Sequence, residues 1–154
     1  MKKRSRNCLV IVLAIIAILL LLLYAWFKGI FFTFEGIKAE YYEEPVQSPN
    51  GSYTARAYYE YYGGAAGGVN TIVEITDHTK ADSIKVIYYA DAQSEVNVKW
   101  EDEQTLYVMN KSSDFPAGDR SIKLNVDSDI YHDTGRACNS ILLKDTYTNC
   151  YYKK

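Results

Sequence analysis

Nineteen consecutive residues, Leu9 to Phe27, carry neither a charge nor a proline. A helix of that length covers roughly 29 Å at about 1.5 Å per residue, the thickness of a bilayer's hydrocarbon core. A helix buried in a water-soluble domain keeps its polar residues on one side, and this run has none to keep. Residues 9–27 are therefore expected to form a transmembrane helix, with the lipid bilayer as their partner. Lys2, Lys3, Arg4 and Arg6 precede the run, whereas Lys28 and Lys38 follow it mixed with Glu35, Glu40, Glu43 and Glu44. The basic flank is the one retained in the cytoplasm, so residues 1–8 are expected to be a cytoplasmic tail and everything after the span to lie outside. Tyr24, Trp26 and Phe27 fall where an aromatic belt meets the outer headgroups.

A cleaved secretory signal shares the basic start and apolar middle, but two features weigh against it. The run is long for a signal peptide, and Leu23-Tyr24-Ala25 puts a bulky residue where cleavage needs a small one. A lipoprotein signal places Cys after the apolar run; here Cys8 precedes it. The expectation is an uncleaved signal anchor, single-pass in the plasma membrane.

Beyond the span, the chain is acidic. Of seventeen basic residues five lie before Lys38, leaving twelve against eighteen of the nineteen acidic ones. Such a balance argues against nucleic acid as a partner and against charge-driven attraction to anionic lipid. Residues 28–45 are expected to be a membrane-proximal stalk, with Ile30-Phe31-Phe32-Thr33-Phe34 at headgroup level and an acidic linker after it. Residues 46–154 are expected to be one extracytoplasmic domain, large enough for a small core.

In that domain the hydrophobic period is two. Ser48-Pro49-Asn50-Gly51 is a turn, since Pro49 fixes φ and Asn50-Gly51 tolerates positive φ. Strands are expected over Tyr53–Tyr62, Val69–Ile75, Ile84–Tyr88, Glu95–Trp100, Thr105–Met109 and Ser121–Val126, with Gly63–Gly68 joining the first two as a hairpin. Six strands with short connections suggest a mainly β fold, a small antiparallel meander or sandwich-like domain. The expected core is Val73, Ile75, Val86, Val96, Val98, Trp100, Leu106, Val108, Ile122 and Leu124. The opposite face would then carry Tyr58, Tyr62, Ile72, Ile87, Tyr89 and Tyr107, unusually apolar for a solvated surface. Either the tail folds back over it through Ile141, Leu142 and Leu143, or it stays open as an interaction face. The tail itself is expected to be a hairpin, with Cys138 and Cys150 as a candidate disulfide in an oxidising compartment.

The turn Ser48-Pro49-Asn50-Gly51-Ser52-Tyr53-Thr54-Ala55 and the later Trp100-Glu101-Asp102-Glu103-Gln104-Thr105-Leu106-Tyr107-Val108 resemble the turns of a β-propeller blade, though the chain has room for little more than one blade. Span and unit together resemble an uncharacterised bacterial family, a domain of unknown function, of small single-pass membrane proteins. The likeness covers roughly residues 46–130. It implies a bacterial plasma membrane and transfers no catalytic residue.

No motif for chemistry stands out. His78 and His132 read as solvated loop histidines, since no nucleophile context accompanies either. Asp127, Ser128, Asp129 and Asp133 lack the glycine and terminal acid of a helix–loop–helix calcium site, and Glu101-Asp102-Glu103 reads as a solvated turn. Gly63–Gly68 lacks the Lys-Ser/Thr of a phosphate loop. Asn50 and Asn110 head glycosylation-type triplets. Cys8 reads as a small apolar residue or a site of acylation. No cofactor or metal ligand set is expected. The reading is a non-enzymatic interaction module that meets another envelope protein or itself. The alternatives are a glycan-binding or glycan-processing protein of the cell wall and a small accessory or immunity-type membrane protein.

Overall fold

The computed structural model describes residues 2–153, with side chains from Val10 onward, so Cys8 and the basic side chains before it lie outside the description. One helix, α1 (Lys2–Ile30), is followed by ten strands in two sheets. The helix runs three residues past Phe27, and its apolar portion Val10–Ile30 is long enough to cross a membrane, with none of its apolar window buried inside the protein.

The larger sheet holds seven strands. β1 (Glu40–Tyr41) and β2 (Val46–Gln47) both pair with β3 (Tyr53–Tyr62), which continues to β4 (Gly68–Asp77) and β5 (Ser83–Asp91) in antiparallel order. The hairpin between β3 and β4 depends on its glycines. Gly63 and Gly64 have φ of +76° and +61°, and a Cβ on Gly67 would come within 1.5 Å of the Tyr62 carbonyl oxygen. The smaller sheet is β6 (Glu95–Trp100), β7 (Thr105–Lys111) and β8 (Ile122–Asn125), again antiparallel.

A single meander does not result. β9 (Asp129–His132) lies parallel to β5, pairing Tyr88 with Tyr131, and β10 (Asn149–Tyr151) lies parallel to β9. Parallel neighbours need a long crossover, and here the whole three-stranded sheet is the crossover from β5 to β9. The tail is correspondingly not a hairpin. A 3-10 turn at Ala137–Asn139 and the edge strand β10 are joined by a disulfide between Cys138 and Cys150.

The two sheets face each other over one core. Ala55, Ala57, Val73, Ile75, Tyr88 and Ala90 pack against Val98, Leu106, Val108, Leu124 and Val126. Trp100 sits at its margin, half-buried, stacked on Tyr53 at 6.1 Å and donating to the Val46 carbonyl at 3.0 Å. The turns that resemble a propeller blade meet there, where the Asn50 amide donates to Glu103 at 3.0 Å.

Two expected orientations are reversed by one feature. A β-bulge sets Tyr88 opposite Val73 but Val86 opposite Glu74, leaving Ile87 as the extra residue. Ile87 consequently joins the core, and Val86 turns to the other face beside Ile72 and Tyr58. That face has a cover, but not the tail: Ile141 and Leu142 are each 54% exposed. Phe34, Ile37 and Ala39 lie over Tyr58, Ile72 and Val86 instead. The segment expected as a stalk thus belongs to the domain, supplying β1 and a second apolar layer.

Candidate functional site

The sheet face expected to bind partners resolves into three places. Tyr58 and Ile72 lie beneath residues 34–39, Ile72 being buried. Ile87 is in the core and Tyr107 belongs to the other sheet, between Lys99 and Lys123. Tyr62 and Tyr89 come together at the end of the large sheet nearest the helix, where they line a cleft of about 280 Å³ with Phe32, Asn70, Asp91, His132, Asp133 and Arg136.

Each wall of the cleft follows from local structure. β3 and β4 are in register, so Glu60 stands opposite Asn70, and β5 brings Tyr89 alongside. The Tyr89 hydroxyl donates to Glu60 at 2.6 Å, and the Asn70 amide nitrogen donates to Glu60 at 3.0 Å and to the Tyr89 oxygen at 2.8 Å. Burial, then this bond to a carboxylate, pushes the Tyr89 hydroxyl well above the usual tyrosine range. On the other side the Tyr62 hydroxyl donates to Asp91 at 3.1 Å, and the Arg120 guanidinium lies between Asp91 and Asp133, hydrogen-bonded through Nε to Asp133.

His132 forms the floor. It is 1% exposed, stacked on Tyr89 at 4.9 Å and edge-on to Phe32 at 5.1 Å, so it is a strand residue among aromatics rather than a solvated loop histidine. Its Nδ1 lies 3.4 Å from the Thr134 hydroxyl, and its buried Nε2 has no hydrogen-bond partner. Burial in this apolar setting lowers its pKa to about 4, so the ring is neutral at physiological pH. His78 does lie at the surface, with Nδ1 on Asp82 and Nε2 2.8 Å from the Thr54 hydroxyl.

The arrangement suits holding a small polar group against aromatic rings more than proton transfer. Asp91 and Asp133 share one guanidinium, and Glu60 already accepts from two donors. The other carboxylates flagged by the sequence are dispersed. Asp127 accepts from Tyr53, Lys80 and Gln104, while Asp129 accepts from Asn149, Ser128 and the Asn125 backbone. Among the described residues no three His, Cys, Asp or Glu side chains gather as a metal site. Asn110 is fully buried, its amide bonded to the Tyr88 hydroxyl and the Asp91 carbonyl, so its triplet marks a structural asparagine.

Sequence reasoning did not find Arg120, Asp91, Asp133 or His132 as a group. They come from three separate segments, and no spacing announces them. The signal available for Phe32 and Phe34 was their alternation just past the helix, a two-residue period in a run too short to extend the span.

No curated protein and no solved structure matches the chain. Residues 3–132, from the first turn of the helix through β9, match the model of the Family of unknown function (DUF5412), and the chain belongs to that family.

Proposed function

We propose that this is a single-pass protein of the plasma membrane, its N-terminus cytoplasmic and its β domain outside, working as a non-enzymatic interaction module at the cell envelope. The observation that carries the proposal is the helix Val10–Ile30: 21 residues, apolar apart from Lys28 near its end, with none of its apolar window buried in the domain. The four basic residues before it support that orientation, because the flank richer in Lys and Arg is the one retained in the cytoplasm. The interaction surface is the free edge of the large sheet. Tyr41 packs on Tyr58 at 4.9 Å and Tyr42 on Tyr59 at 4.2 Å; Tyr41 and Tyr61 are each 65% exposed, and Glu43 and Glu44 lie beside Tyr41. Rigid tyrosines that are apolar in body and polar at the tip are what protein interfaces favour, and the flanking carboxylates select a basic or neutral partner, an envelope protein or a second copy.

Two measurements test this. Protease added to intact cells removes a C-terminal tag; protection of the tag overturns the topology. A photo-reactive residue at Tyr61 gives discrete adducts in the envelope, and one at Lys123 on the far sheet does not. Equal labelling from both positions removes the edge as the interface.

A second reading, binding of cell-wall glycan, is favoured by the cleft, where Tyr62 and Phe32 flank an amide, two carboxylates and Arg136. Rings beside planar polar groups suit a sugar. Retention on insoluble wall glycan that is lost in Tyr62→Ala supports it, and unchanged retention rejects it.

A further inference from the structure

The loop that failed to become a lid has a different position to fill. Ile141 and Leu142 are adjacent large apolar residues, each 54% exposed, within the segment closed by the Cys138–Cys150 bond. The Ile141 N–H donates to the Ile30 carbonyl at 2.9 Å, and the Ser140 hydroxyl donates to the Phe32 carbonyl at 2.6 Å. Ile30 is the last residue of the apolar helix segment. These bonds satisfy a carbonyl left open at the helix C-terminus and also fix the height of the loop. If α1 spans, its end lies at the boundary between acyl chains and headgroups, and Ile141 and Leu142 are held at that boundary too.

We infer that Ile141 and Leu142, with Phe31, form a foot that inserts into the outer leaflet and seats the β domain on the bilayer. This rests on the membrane-spanning reading of α1. The occupant is phospholipid, because the patch is tied to the end of the apolar helix through the Ile141–Ile30 bond: Phe31 is 46% exposed, and Phe27 and Trp26 are open as well. Lys28 and Arg136 line a groove at the same level with Tyr24, Phe31, Phe32 and Glu35. Their long side chains reach the phosphates while the apolar residues sit beneath, the distribution found in interfacial anchors. Contact is local, so the net acidity of the domain does not oppose it.

The test uses the full chain in phosphatidylcholine vesicles, with lipid brominated near the top of the acyl chains as a quencher. Leu142→Trp is made in a Trp26→Phe background, with Ile84→Trp at the opposite end of β5 as the comparison; Ile84 is 59% exposed, so both sites accept the ring. The emission added at position 142 is expected to be lost with brominated lipid and the emission added at position 84 to persist. Persistence of both, while Trp26 of the parent protein is quenched, overturns the foot and leaves the span intact. Persistence of all three overturns the span and the foot with it.

Discussion

The two sheets were built by the same alternating logic and differ in how many of their faces are covered. In the three-stranded sheet one face meets the core and the other meets water. Its strands keep a strict period: Val96 and Val98 are buried between exposed Glu95, Asn97 and Lys99, and Leu106, Val108 and Asn110 are buried between less buried neighbours. In the large sheet both faces are covered, one by the smaller sheet and the other by residues 32–39. There the period disappears: Thr71, Ile72 and Val73 are consecutive buried residues, as are Val86, Ile87 and Tyr88. Alternation reports a one-sided surface, so it is informative where a sheet is wetted and silent where it is not.

The sharpest way to challenge this contrast is to empty the shared core. Leu106→Ala removes a fully buried side chain that touches both sheets, and about 2–5 kcal/mol of stability is expected to go with it. A denaturant melt of the full chain in detergent, followed by Trp100 fluorescence, measures the loss. A change below about 1 kcal/mol would mean the sheets do not share a core.

The doubly covered sheet should also be acid-sensitive where the single-sided one is not. His132 is neutral in the fold with a pKa of about 4, against about 6.5 when unfolded. Between those values the unfolded chain binds a proton that the folded chain refuses. Stability is therefore full above pH 6.5 and falls as pH drops toward 4, by about 3 kcal/mol for one proton over that window. His132→Phe should flatten that segment of the pH profile. An unaltered slope assigns the acid sensitivity to another group.

How much of this was legible follows from the same contrast. β6, β7 and β8 and most of their core residues can be read directly, as can the apolar helix, because each presents one dominant surface. The orientations of Val86 and Ile87 cannot, because a bulge reverses them without any local sequence mark, and neither glycine nor proline stands at the position. The cleft is opaque for a different reason. Arg120, Asp91 and Asp133 converge only because β9 returns parallel to β5, a long-range pairing that carries no sequence period. Ile141–Leu143 are apolar enough to serve as a cover, but the segment just after the helix has the same need for burial and a shorter path.

Removing the cover separates the two sheets most directly. Phe34 lies 6.0 Å from Tyr89 and 6.2 Å from His132 and lines the space over Ile72 and Val86. Phe34→Ala should cost about 2 kcal/mol, less than full burial of a phenylalanine because the ring is only partly enclosed. It should also open the Tyr58–Ile72 face to an apolar dye, an effect that Leu106→Ala in its folded state would not share. A melt and dye response both unchanged would return this face to solvent.

The smallest effect is expected on the outer face of the three-stranded sheet. Tyr107 stands between Lys99 and Lys123 on neighbouring strands, and Lys123 is paired with Glu101 nearby. No second layer covers it, so its ring gains only cross-strand contact with the two lysine stems, an interaction worth about 0.2–1 kcal/mol. Tyr107→Ser should therefore shift the melt by no more than that, and β-propensity accounts for part of the shift. The same substitution at Tyr89, whose hydroxyl joins Glu60 and Asn70 and whose ring stacks on His132, should cost several times as much. Measured side by side in the full chain, the two tyrosines read out one-sided and two-sided burial at chemically identical positions. Equal losses would mean that Tyr107 has a covering partner of its own, and the difference between the sheets would then be one of occupancy rather than of fold.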